Sequence, residues 1–136
     1  MTTAWVSGCS LLVQLQNFPE CPQFSPEYFL YYEDFDFCQR YANQGHIVAI
    51  APKIGVIHQP SSITNRDRYH KFKYSTYSYL LMLEQYSTWW ILILRLGRVL
   101  IYGLAIAPLQ PDVALGKLHG IGLYWQRVWR SWQTLY

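Results

Sequence analysis

The chain has little charge, little cysteine and no periodic repeat. Only 14% of its 136 residues are charged, and no Gly/Ser, Gln/Asn or Pro-rich tract occurs, which excludes a disordered linker, a solenoid and a low-complexity scaffold. Cysteine is limited to Cys9, Cys21 and Cys38, an odd number with no C-x-x-C pair. Neither a disulfide framework nor a zinc ribbon is therefore indicated, and a reducing compartment fits best. The opening residues MTTAWVSGCSLL lack a positive n-region and return to polar residues after a short apolar run, which argues against a signal peptide. Apolar and aromatic residues are abundant, at 51% and 18%. That suffices for one domain with a packed core in a chain too short for two of ordinary size.

The net charge of +3 hides an asymmetry. Up to Asn65 five acids (Glu20, Glu27, Glu33, Asp34, Asp36) face two bases; from Arg66 onward nine bases face three acids, and five of the six tryptophans lie there. An acidic half joined to a basic, Trp-rich half suggests a chemical site attached to an anionic surface, either nucleic acid or membrane. The aromatic residues of the basic half sit among Leu and Ile, and no recognition-helix, zinc-finger or RNP-like pattern is present. A nucleic-acid partner is therefore not expected.

Local patterning predicts a short strand or helix over residues 5–15, then an irregular loop through the prolines of NFPECPQFSPE. In EDFDFCQRYANQG, Asp34 can cap or open a helix, Phe35, Cys38 and Tyr41 or Ala42 recur at helical spacing, and Gly45 sits where a helix end favours positive φ. Two β-branched runs flanking Pro52 predict strands over residues 46–51 and 54–58. Residues 66–86 read as a Tyr-rich basic helix, residues 89–109 as an apolar stretch interrupted by Arg95, Gly97, Arg98, Gly103 and Pro108, and residues 124–136 as a last helix.

The apolar stretch is long enough to cross a bilayer. Its two arginines cost about 2.5–3.5 kcal/mol each at a membrane centre, while its Leu, Ile and Val residues return about 0.3–0.6 kcal/mol each, so the sum is close to zero. Arg95, Arg98 and Tyr102 share one helical face, whereas Trp89, Ile93, Leu96 and Leu100 line another. This division favours a helix lying in the interface. In the last helix Trp125, Trp129, Trp132 and Tyr136 form a stripe suited to a headgroup boundary, or to packing on the domain itself.

Glu33, Asp34 and Asp36 fall within four residues. Carboxylates this close repel, so a cation, a helix N-terminus or a positive partner such as Arg40, four residues beyond Asp36, is expected nearby. A capped, salt-bridged helix start explains the cluster as well as chemistry does. His58, at the end of an apolar run before a Pro-Ser-Ser loop, fits a metal ligand, an acid/base or a hydrogen-bonded core residue.

Taken in order, W-V-S-G (residues 5–8), an F-x-Y-x-E-D-x-D-x-C-x-R segment (residues 29–40), Gly45, Pro52 and V-x-H (residues 56–58) resemble family 2 inverting glycosyltransferases, most of all the rhamnosyltransferase-like and galactofuranosyltransferase-like branch. The resemblance covers about residues 4–64 and, far less specifically, the basic tail around ALGKLHGIGLYWQ. It implies an α/β fold: the C-terminal part of a GT-A, Rossmann-like domain over residues 1–65, followed by amphipathic, membrane-associating helices over residues 66–136. It also implies a nucleotide-sugar donor, a divalent cation (Mg²⁺ or Mn²⁺), and a lipid-linked or glycan acceptor at the cytoplasmic face of the cell membrane.

By the same resemblance Asp34, with Glu33 beside it, is the general base, His58 completes the metal's coordination, and Trp5, Ser7 and Gly8 shape the acceptor side. Arg66 and Arg68 are candidates for holding phosphates, and a solvated basic face suits them equally. The family's nucleotide-binding strand-loop-helix unit and its separate D-x-D motif have no counterpart here, since the one D-x-D string, Asp34 to Asp36, belongs to the E-D motif. The expectation is a transferase fragment, its missing half supplied by a separate chain or not at all, with metal binding weak or absent and the isolated chain inactive. The alternatives are a non-catalytic membrane-associated partner protein and a small metal-dependent hydrolase that would need Glu33, Asp34, Asp36 and His58 to converge.

Overall fold

The structure, a computed structural model, describes residues 1–58 and 66–133. The chain divides into two compact units, Met1–Pro60 and Ser61–Tyr136. The expected boundary after residue 65, the Pro-Ser-Ser loop and the last three residues of the expected C-terminal helix lie outside the described residues.

The first unit is built around one helix, α1 (Glu33–Asn43). Gly45 follows it at φ 92°, where a side chain would be strained, and its N–H donates to the Ala42 carbonyl. The apolar side of α1 buries Phe37 and Cys38, with Tyr28 from the preceding loop beside them in the small core. Phe24 and Tyr41 pack on Phe37 with ring centroids 4.7 and 4.6 Å away, and Phe18 stacks on His46 at 4.1 Å. Before α1 the chain runs through two single-turn 3-10 segments, Gly8–Ser10 and Leu15–Asn17.

The expected α/β architecture is not what forms: the described residues hold helices and no strand. Residues 46–51 and 54–58 are β-branched, yet their pairing is limited to an isolated antiparallel bridge between Thr2 and Ala49. Around it the Thr3 N–H donates to the Val48 carbonyl and the Ile50 N–H to the Met1 carbonyl. A strand is stable only when neighbours take up its N–H and C=O groups, and two or three bonds to one short segment do not make a sheet. Ile47, Ile54, Val56 and Ile57 accordingly remain exposed. The β-propensity of the sequence is real, and the pairing that would express it is absent among the described residues.

The second unit is a three-helix arrangement of α2 (Arg68–Tyr86), α3 (Trp89–Ile106) and α4 (Pro111–Gln133), with α4 packed chiefly on α2 and less extensively on α3. Asp67 caps α2 by accepting from the His70 N–H at 3.0 Å. That bond, together with the His70 side chain, holds the carboxyl below its usual range. Pro111 opens α4 at the position where a missing N–H is harmless. This helix begins well before the expected residue 124.

Gly116 and Gly120 explain the early start. One turn apart, they let α4 approach α2 so closely that a Cβ on either would lie 2.5 Å from a backbone oxygen, Tyr69 O or Lys73 O respectively. Below this contact Leu80, Leu81, Leu83, Val113, Ala114 and Tyr124 are buried. Polar links run along the seam: Tyr69 Oη meets His119 Nδ1 at 2.6 Å, Arg68 pairs with Asp112 at 3.5 Å, and Arg127 with Glu84 at 2.9 Å.

Tyr124 carries a pH prediction. Burial, followed by the charge and hydrogen bond of Glu84, pushes its phenol up to about 12 from 10. A raised acid keeps its proton in the folded state after the unfolded chain has lost it. The helical unit should therefore hold full stability below pH 10 and lose about 2–3 kcal/mol as the pH rises through 12. Tyr124→Phe is expected to flatten this part of the profile, measured as urea midpoints between pH 9 and about 12. An unchanged slope would remove Tyr124 as its cause.

Among the described residues of this unit, little covers α3. Gly103 is its one buried residue, while Trp89, Trp90, Ile93, Leu94, Ile101 and Leu104 are more than half exposed. The helix is long and apolar enough to cross a membrane by length and composition. Trp125, Trp129 and Trp132 on α4 are also exposed.

Candidate functional site

The start of α1 is where the acidic cluster and the W-V-S-G turn meet. Tyr31 and Tyr32 both adopt left-handed backbone conformations, φ 67° and 65°, and the chain enters the helix directly from them. No side chain caps the helix; the Tyr32 carbonyl instead accepts from the Asp36 N–H at 2.9 Å. This entry places Glu33, Asp34 and Asp36 in the first turn, where the free N–H groups favour negative charge.

The three carboxylates have different surroundings. Asp36 is buried, 2% exposed, and accepts from Arg40 Nε at 2.8 Å; Arg40 in turn donates to the Gln23 carbonyl at 2.8 Å. Burial pulls the Arg40 guanidinium down, but the hydrogen bonds and charges of Asp36 and Tyr41 together outweigh it and leave it raised. Asp36 is thus a structural anchor of the helix. Asp36→Ala would leave the guanidinium with the Gln23 carbonyl and Tyr41 and should cost about 1–3 kcal/mol, below the range for a fully buried pair because Arg40 is a third exposed. Faster amide exchange across α1 would show it, and unchanged exchange would mean the pair contributes nothing.

Asp34 links distant segments. Its Oδ2 accepts from the Gly8 N–H at 2.8 Å and its Oδ1 from the Phe35 N–H at 2.8 Å. A Cβ on Gly8 would meet the Asp34 Cβ at 3.4 Å, an ordinary van der Waals contact. Trp5 packs edge-on against Phe35, with centroids 6.1 Å apart, and stays 45% exposed. Ser7 is exposed and accepts from the Cys9 N–H at 3.5 Å, capping the first 3-10 turn. Beside them Glu33 keeps its Oε2 buried with no hydrogen-bond partner. Trp5, Gly8, Glu33 and Asp34 therefore come together around one helix start.

The remaining expected residues do not join them in a metal site. His58 is exposed, in a segment without regular structure. Among the described residues no group of three or more His, Cys, Asp or Glu side chains could hold a metal ion, so His58 completes no ligand set with Glu33, Asp34 and Asp36. Asp36 is committed to Arg40, and each Asp34 oxygen accepts one backbone N–H. The convergence that a small metal-dependent hydrolase requires is likewise missing.

Arg68 is occupied by Asp112 and by Gln110 Oε1, whereas Arg66 is exposed; both belong to the second unit. A recess of about 640 Å³ in the first unit is lined by residues such as Leu11, Phe18, Phe37 and His46 and includes neither Glu33 nor Asp34. Sequence reasoning passed over the left-handed Tyr31-Tyr32 entry, which no residue type announces, and the Gly116/Gly120 contact, which the G-x-x-x-G spacing could have indicated.

A carboxylate pair held against a small-residue turn is an arrangement able to take a proton from a hydroxyl, and comparison with known proteins supports a relationship to glycosyltransferases. Two proteins from Mycobacterium tuberculosis, from strains CDC 1551 / Oshkosh and ATCC 25618 / H37Rv, match the chain, each named N-acetylglucosaminyl-diphospho-decaprenol L-rhamnosyltransferase. Each is 32% identical to it over 87 residues, which is 63% of this chain and 28% of the relative. The chain thus spans little more than a quarter of the length of the relatives it matches. No family model matches it. No solved structure matches it either.

Proposed function

We propose that this chain is the acceptor-side, C-terminal portion of a family 2 inverting glycosyltransferase that transfers a sugar, L-rhamnose by the relatives' name, from a nucleotide-sugar to a lipid-linked or glycan hydroxyl. The observation that carries this reading is the Gly8 to Asp34 hydrogen bond, which joins two motif segments 26 residues apart. An acceptor hydroxyl must lose its proton as its oxygen attacks the anomeric carbon, and a carboxylate within about 3 Å can take it. The two backbone N–H donors fix the plane of the Asp34 carboxylate, and each oxygen keeps a second lone pair for the substrate. Attack opposite the leaving nucleotide inverts the centre. Glu33, with its unpartnered buried oxygen, stands next to the base. The exposed rings of Trp5 offer a face for a sugar, with Ser7 and Gly8 shaping the turn beneath.

No metal-dependent step is assigned to this chain's own residues, and by itself the chain is expected to turn over no donor. The proposed place of action is the cytoplasmic face of the cell membrane, with α3 and the Trp face of α4 at the headgroup boundary. The decisive experiment grafts the matched 87-residue stretch into the mycobacterial rhamnosyltransferase in place of its own. Retained transfer to the lipid-linked acceptor is expected. A folded chimera without activity would overturn the reading and favour the second one, a non-catalytic membrane-associated partner, which the uncovered apolar surface of α3 otherwise supports.

A further inference from the structure

The second unit contains a recess of about 370 Å³ where α2, α3 and α4 converge. Arg95, Arg98 and Tyr102 enter it from α3, Lys117 from α4, and Phe72 and Tyr79 from α2. Three cations line it, and no acidic side chain does. The acids of this unit are engaged elsewhere: Asp67 with His70, Glu84 with Arg127, and Asp112 with Arg68. The Lys117 Nζ lies over two aromatic faces, 5.1 Å from the Phe72 centroid and 5.3 Å from that of Tyr102. Burial lowers the Lys117 ammonium from its usual range, as expected of a cation removed from water without a compensating carboxylate.

We propose that this recess receives the phosphate of an anionic lipid headgroup, with Arg95, Arg98 and Lys117 as its donors and the uncovered apolar surface of α3 embedded beside it in the acyl layer. The chemistry is complementary at both levels. Guanidinium forks match phosphate oxygens, and the Phe72 and Tyr102 rings beside the half-buried Lys117 ammonium favour its charge-assisted bond to an anion. The same helix offers Ile93, Leu94, Ile101 and Leu104 to hydrocarbon. A soluble phosphate would use the cations alone and leave that surface in water; a lipid satisfies both. The inference rests on the interfacial reading of α3 given above.

The test is co-sedimentation of the full chain with vesicles of phosphatidylcholine alone and of phosphatidylcholine mixed with phosphatidylglycerol. The wild type should bind both and bind the mixed vesicles more tightly. R95Q/R98Q/K117Q should lose about 100-fold in affinity for the mixed vesicles, at about fivefold per basic residue near an anionic surface, with little change on the neutral ones. R95K/R98K/K117R, which keeps the charge, should retain most of the binding. K53Q/K71Q/K73Q, which removes the same charge elsewhere, should lose much less.

Circular dichroism checks that each variant is folded, and the single variants R95Q and R98Q give the same test at about fivefold if the triple variant is not. Binding to neither vesicle by the wild type would overturn the interfacial reading and the site together. Equal binding to both would overturn the site alone, and so would an equal loss in the charge-matched control. If the variant loses inorganic diphosphate but keeps its vesicle affinity, the recess is a soluble-phosphate site and the lipid assignment is wrong.

Discussion

Replacing both Gly116 and Gly120 with valine is expected to abolish the cooperative thermal transition of the helical unit. At each position the new Cβ would fall 2.5 Å from a carbonyl oxygen of α2, with further contacts of 3.1 Å to the Phe72 Cβ and 2.8 Å to the Thr76 Cβ. Backbone oxygens inside a helix cannot swing aside, so α4 would have to move away from α2. Overpacking of this kind costs about 1–3 kcal/mol per site. A small helical unit holds about 3–5 kcal/mol in total, so two such changes consume most or all of it. Gly122 provides the internal control, since nothing lies within 4 Å of its added Cβ. Gly122→Ala should be neutral or raise stability by about 0.5–1 kcal/mol through helix propensity. A sharp, unshifted melt for the double valine variant would show that the two helices are not in this contact.

The second large effect concerns Asp34 in the chimeric transferase. Asp34→Asn is expected to reduce transfer by about 10²–10⁴-fold, the usual contribution of a positioned base. The asparagine oxygen can keep one of the two backbone bonds, so circular dichroism should change little while the rate collapses. The amide cannot accept the hydroxyl proton. Glu33→Gln is expected to have the smaller effect. A chimera in which D34N runs at the parental rate would remove Asp34 from the chemistry, and a larger loss in E33Q would move the base to its neighbour.

Much of α1 could be read from the letters. An acidic first turn, the spacing of Phe35, Cys38 and Tyr41 or Ala42, and Gly45 at its end are local signals, and local interactions suffice to form them, although the spacing passed over Phe37, which the helix buries. The Asp36–Arg40 pair follows from the same i, i+4 rule. The strands of residues 46–58 failed because strand formation is a property of pairs, and sequence pattern reports only one member. In α4 the expected helix began only at residue 124, although Gly116 and Gly120 before it are the points at which helices touch. Arg95 and Arg98 were visibly on one face; that Lys117 would join them depended on the α3–α4 packing, which no single-segment periodicity contains. His58 was singled out at the end of an apolar run and again by resemblance, and the described residues just before it hold no regular structure that would aim it.

Two consecutive tyrosines in a left-handed turn are disfavoured by about 1–2 kcal/mol each, so the fold must oppose a local tendency to relax just ahead of Glu33 and Asp34. The orientation of both acids is consequently set by main-chain geometry rather than by their own side-chain contacts alone. Such a joint behaves like a cocked hinge: whatever later settles against the tyrosines gains leverage over the direction in which the two acids point.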